Sequence, residues 1–218
     1  MSAISLSVYE LLVRDREAAY ARCSEADSAA ALLPRFAAVG LLGMGAYAAA
    51  LGLLHHMDHT TFYAEQPMAY ASKVFLAYAG SFFGTNIAAL PTFYFHTLVA
   101  GIRTHGWRVS VEVMRAQATQ ATVMLGLLPL YFALGVGLLQ LELDQTWTAL
   151  RGMGFVLPFL CGLPGSYHLA GTFFRLAREN PPVAPAQRSS APLLLTLAWC
   201  ALFAIMAPVG VIGIWHLL

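Results

Sequence analysis

Charge is absent from five long apolar stretches of the chain. Phe36–Leu54, Val74–Ile102, Ala116–Leu141, Gly152–Phe174 and Ser189–Leu218 contain no Asp, Glu, Lys or Arg. Each is long enough to cross a hydrocarbon layer about 30 Å thick as a helix. The pattern predicts an all-α polytopic membrane helix bundle. Its five transmembrane helices lie over about 36–54, 74–102, 116–141, 152–174 and 191–216, in one domain covering 35–218.

The segment 1–34 has a different pattern. Ser7 followed by Glu10 makes a capping box, and Tyr9, Leu12, Val13, Tyr20 and Cys23 recur near helical spacing. Arg14, Asp15, Glu17, Arg22 and Glu25 fall between them, so this segment is expected to be an amphipathic helix at the membrane interface. Pro34 is expected to end that helix before the first span. Its charges precede the first apolar stretch, which starts too late for a signal peptide, so the first span is expected to stay attached. Pro181, Pro182 and Pro185 predict a stiff linker that sets the last span apart from the first four.

Composition narrows the functions available. Hydrophobic residues make up 59% of the 218, charged residues 11%, and mean hydropathy is +0.66. Soluble domains carry about 25% charged residues. The longest piece outside the spans is Met1–Arg35. That leaves no room for a soluble catalytic domain of about 100–150 residues. A net charge of +1 gives no case for nucleic acid as a partner, whereas the lipid bilayer is one. Cys23, Cys161 and Cys200 show no paired spacing and are expected to be packing residues.

The cations set an orientation. Ten lie in alternate connecting segments: Arg14, Arg16, Arg22 and Arg35, then Arg103, Arg108 and Arg115, then Arg175, Arg178 and Arg188. Only Lys73 and Arg151 lie in the others. Because Lys and Arg favour the cytoplasmic side, the N-terminus is expected inside and the C-terminus outside. Five crossings satisfy that requirement.

Within the spans, small residues predict close helix packing or a homo-oligomer: Gly40, Gly43, Gly45, Ala49 and Gly52, then Gly126, Gly135 and Gly137, then Gly152, Gly154 and Gly162. Pro91, Pro129, Pro158, Pro164 and Pro208 each free a backbone carbonyl that needs a partner or a wet cavity. Asn86 beside Thr85 lies mid-span and must face the bundle, as interhelical glue or as pore lining with Pro91 and Pro164. Leu90-Pro91-Thr92-Phe93-Tyr94-Phe95-His96 resembles Leu163-Pro164-Gly165-Ser166-Tyr167-His168, which hints at a parallel repeat of helix pairs. The repeat would bring His96 and His168 to similar depth, where two imidazoles can hold a haem or make structural hydrogen bonds. His55, His56, Asp58 and His59 cluster at the end of the first span, with spacing that suits a metal or a set of polar helix-end groups.

In layout the chain resembles small Yip1-like membrane proteins, which have an N-terminal cytosolic segment, five spans and an outer C-terminus. Their Asp-Leu-Tyr-Gly-Pro type motif is absent here. It is also similar to bacterial five-span inner-membrane proteins in Gly43-Met44-Gly45-Ala46-Tyr47 and Pro91-Thr92-Phe93-Tyr94. The resemblance implies a scaffold or adaptor without enzymatic activity or cofactor, in a bacterial inner membrane. On that reading a cytoplasmic partner would meet Tyr9, Leu12, Arg14, Arg16, Arg103 and Arg108. The alternatives are a pore-forming homo-oligomer and a metal- or haem-binding membrane subunit.

Overall fold

The computed structural model describes residues 8, 10–12, 16–58, 66–99, 102, 104–141, 146–179 and 191–217. Among them there is no strand. The helices are α1 (Arg16–Ser24), α2 (Ala26–Met57), α3 (Pro67–Val99), α4 (Gly106–Gln140), α5 (Thr146–Cys161), α6 (Leu163–Glu179) and α7 (Ala191–Leu217). Four helical segments, Asp27–Met57, Pro67–Val99, Gly106–Gln140 and Thr146–Glu179, are long and apolar enough to cross a membrane. Leu42, Ile87, Leu130 and Val209 stand exposed on the outer faces of α2, α3, α4 and α7. So much exposed apolar surface suits lipid better than water, and the protein is a membrane-embedded helical bundle.

Two prolines act differently from expectation. Pro34 lies inside α2, which continues through it to Met57. Ala29, Ala30, Ala31, Leu32 and Leu33 before it are strong helix formers. Leu32 and Phe36, buried on either side, pin the helix against α4. The predicted fourth span is two helices. At Gly162 the backbone N–H turns to the carbonyl of Phe159 at 3.0 Å, a three-residue step that closes α5. Pro164 then falls in the first turn of α6, where a missing N–H costs nothing. Pro91, by contrast, sits inside a continuous α3. The sequence likeness around Pro91 and Pro164 therefore does not extend to the backbone.

Helices α2 and α4 form the central pair, with α3 on α2, α6 on α4, and α7 on both α3 and α6. Close approach depends on small residues. A Cβ on Gly43 would stand 2.7 Å from that of Ala121, and one on Gly165 would overlap the carbonyl oxygen of Ala116. Gly126, Gly137 and Gly152 face open space instead. The last helix is not set apart. Ser81 on α3 donates to the carbonyl of Ala207, and Gly210 lies against the same serine.

Candidate functional site

The first polar constellation lies where α1 meets the start of α4 and the end of α6, hereafter the arginine end. Tyr20 of α1 is its centre. The guanidinium carbons of Arg108 and Arg175 each lie 4.8 Å from the centroid of its ring. Its hydroxyl donates to Glu179 Oε1 at 2.7 Å. Arg175 pairs with Glu17, and Arg108 lies 3.6 Å from Glu179. Burial, helped by the Glu179 carboxylate, pushes the Tyr20 hydroxyl well above the ordinary tyrosine range. One turn further along α4, Arg115 lies 3.2 Å from Glu112, and both side chains are under 5% exposed. The Thr172 hydroxyl reaches Glu112 Oε2 at 3.3 Å. A crevice of about 370 Å³ opens here beside Glu17, Tyr20, Arg115, His168, Thr172 and Arg175.

The apolar side of this junction is equally built. Val8, Leu11, Leu12, Ala19 and Cys23 are buried in one cluster with Leu32, Phe36, Val111 and Met114. The N-terminal residues thus cover the chain's own bundle. Burial, with the Glu112 carboxylate adding to it, pushes the Cys23 thiol up to about 12.

The second constellation is made of amides. Asn86 on α3 donates to Gln117 on α4, and Gln120, one turn on, donates to the carbonyl of Pro158. That carbonyl loses its usual helical donor because the Gly162 N–H has turned to Phe159. Asn86 and Gln117 are 2% and 4% exposed, and Asn86 Oδ1 and Gln117 Nε2 have no hydrogen-bond partner among the described residues.

At the opposite end, His55 stacks on Tyr70 with centroids 4.1 Å apart, and Trp147 and Trp215 close around the tyrosine. Arg151 lies over the Trp215 ring at 5.1 Å.

The expected site residues are dispersed. Leu12 is buried in the N-terminal cluster, Arg108 contacts Tyr20, and Arg16 opens α1. Tyr9, Arg14 and Arg103 lie outside the described residues, as does His59. Thr85 and Asn86 are buried, whereas Pro91 and Pro164 are exposed. His55 and Asp58 are buried and His56 is exposed, and no group of three metal-ligating side chains is found among the described residues. His96 is exposed and bonds the carbonyl of Thr92 at 2.7 Å, whereas His168 borders the crevice at the arginine end. Glu112 and Arg115 fall before the predicted span and Gln117 and Gln120 fall inside it, and none of the four is among the expected site residues. Within each pair the three-residue spacing places the two side chains on one helical face, and that is the available signal.

No protein-family model, curated protein or solved structure matches this chain.

Proposed function

We propose that this protein is a non-enzymatic scaffold or anchor of a larger assembly in a bacterial inner membrane. On this reading it crosses five times, with the arginine end in the cytoplasm. Helix α7 supplies the fifth crossing, since its 27 residues reach about 40 Å. The layout shared with Yip1-like adaptors agrees with this assignment.

The observation that carries the proposal is the clamp on α1. A loose cytoplasmic tail presents no defined surface. Here Tyr20 is held between two guanidinium groups and a carboxylate, and Cys23 and Ala19 are buried behind it. The outward face of α1, with Glu17, Ala21, Arg22 and Ser24 exposed, is therefore a fixed polar platform, and Arg178 is exposed on α6. Arg22 and Arg178 are the cations this platform offers to acidic groups of a partner.

The test is purification in mild detergent followed by mass spectrometry. The expected result is a soluble partner recovered with the wild-type chain and lost with Arg22→Glu plus Arg178→Glu. These substitutions leave the buried cluster intact. A partner retained by that variant, or a chain that purifies alone from its native membrane, counts against the proposal. Reporter fusions at each terminus check the orientation, with opposite sides expected.

A further inference from the structure

The crevice at the arginine end has more donors on its wall than the protein itself uses. Arg115 lines it from α4, with a side chain only 4% exposed. A guanidinium offers five N–H groups. Among the described residues this one makes a single side-chain bond, from Nη1 to Glu112. The carboxylate of Glu112 lies behind it and not on the crevice wall. Its Oε2 meets Arg115 and Thr172, and its Oε1 is enclosed by protein. Nε and Nη2 of Arg115 are left for the crevice. Arg175 brings a second guanidinium from α6, paired with Glu17 of α1. The Glu17 side chain is 75% exposed, so the carboxylate on this wall sits at the rim while the Arg115 cation lies deep.

The opening faces lipid. Tyr167, Gly171 and Phe174 stand four and three residues apart on α6 and so share one face. All three border the crevice and are exposed. A Cβ on Gly171 would meet nothing within 4 Å, so the wall is hollow at that point. The depth follows from helix length. The 35 residues of α4 reach about 52 Å, about 20 Å more than the hydrocarbon layer, which leaves about 10 Å at each end among headgroups. Arg115 comes nine residues after Gly106, near the level where acyl chains join their phosphates.

Charge selects what enters. Water can accept from the same N–H groups, but it is neutral and has no second oxygen to match the planar fork. A phosphate diester has one negative charge and two free oxygens, the edge a guanidinium binds in bidentate fashion. A zwitterionic headgroup would add a cation to a wall whose carboxylate is already held by Arg175.

We infer that this crevice is a binding site for an anionic phospholipid of the leaflet at the arginine end. Its phosphate is held by Arg115 and Arg175, and its acyl chains leave over Gly171 between Tyr167 and Phe174. The inference rests on the protein being membrane-embedded, and on neither the scaffold role nor the orientation.

The experiment is native mass spectrometry of the full chain in mild detergent, titrated with phosphatidylglycerol or with phosphatidylcholine of the same acyl chains. The expected result is one phosphatidylglycerol retained at a concentration roughly tenfold below that needed for phosphatidylcholine. Gly171→Leu fills the hollow without meeting the fold and should abolish that retention. Gly84→Leu, at another outward glycine with nothing within 4 Å, should leave it intact. Glu112→Leu with Arg115→Met removes the deep cation without stranding its partner, and should bring the two lipids level. Equal retention of both lipids by the wild type overturns the inference in favour of a plain apolar groove. A preference that survives Gly171→Leu overturns it in favour of a site elsewhere. Displacement of the lipid by an equal concentration of glycerol phosphate makes a soluble phosphate the ligand and overturns the lipid. Retention of neither lipid leaves a crevice that holds only water, and overturns it as well. Partner capture depends on Arg22 and Arg178, which none of these variants alters, so the two proposals fail separately.

Discussion

The Tyr47 hydroxyl donates to the carbonyl of Gly154, the oxygen that Pro158 leaves without its helical donor. Proline has no N–H to return to the residue four earlier, and inside lipid no water replaces it. A side chain on α2 thus completes the backbone of α5. Tyr131 of α4 supports the same turn, with its hydroxyl 2.8 Å from the carbonyl of Leu150. Tyr47→Phe should destabilise the bundle by about 1–2 kcal/mol, the cost of an orphaned buried carbonyl. Pro158→Ala restores the helical N–H, so the phenylalanine substitution should cost much less in that background. Unfolding of the four variants in a mixed-detergent titration measures the coupling. Equal costs in both backgrounds would mean that Tyr47 acts through packing alone.

The membrane character of the fold was legible because it is written in charge spacing, a long-range pattern that local structure cannot disguise. Internal punctuation was less so. Pro34 and Pro164 look alike in sequence, yet one is absorbed within α2 and the other starts α6 after a break at Gly162. Whether a proline breaks a helix depends on what packs on either side, and this is a tertiary property. In sequence, Arg108 and Arg115 fall in a connecting segment and serve as topology markers. The helix instead begins at Gly106 and carries both into contacts with Tyr20 and Glu112. The mid-span position of Asn86 demands a partner, but only the crossing of α3 and α4 identifies it as Gln117.

Close packing of α4 and α6 depends on the missing side chain of Gly165. An added Cβ would overlap the Ala116 carbonyl oxygen, which belongs to a helix backbone and cannot swing aside. Gly165→Ala should therefore cost about 1–3 kcal/mol through overpacking. Gly137→Ala meets nothing within 4 Å and should be neutral or slightly stabilising through helix propensity. Thermal aggregation in detergent would compare the two, and similar shifts for both would refute the packing argument.

The Glu112–Arg115 pair is buried and bonded to Thr172, which makes its loss asymmetric. Removing one partner leaves the other charge without compensation, at about 3–5 kcal/mol, while replacing both with apolar residues of like size is often tolerated. Glu112→Leu and Arg115→Met should each lower the yield of folded protein, and the double variant should recover most of it. Size-exclusion profiles after detergent extraction give the readout. A double variant worse than either single one would show that the pair is needed as a pair.

Cys23 reports on whether α1 is docked. Only the thiolate reacts with maleimide, and the ordinary thiol pKa is about 8.5. Docked, the thiol is held up to about 12, so near pH 8.5 its thiolate fraction falls by roughly a thousandfold relative to the released helix. The sign follows from linkage. A folded-state pKa above the unfolded one favours docking fully below about 8.5, and this contribution is lost as pH climbs from there toward about 12. In the wild type, N-ethylmaleimide should modify Cys23 slowly at neutral pH and faster as pH rises above the ordinary thiol range. Tyr20→Ala removes the ring held between Arg108 and Arg175 and the hydroxyl on Glu179. That variant should release α1 and bring Cys23 labelling toward the rate of the denatured chain. Cys161, buried in the apolar bundle, should be unaffected. Peptide mass spectrometry separates the sites. Fast Cys23 labelling in the wild type would show that α1 spends much of its time away from the bundle, and the platform proposed for partner binding would then lack a fixed surface.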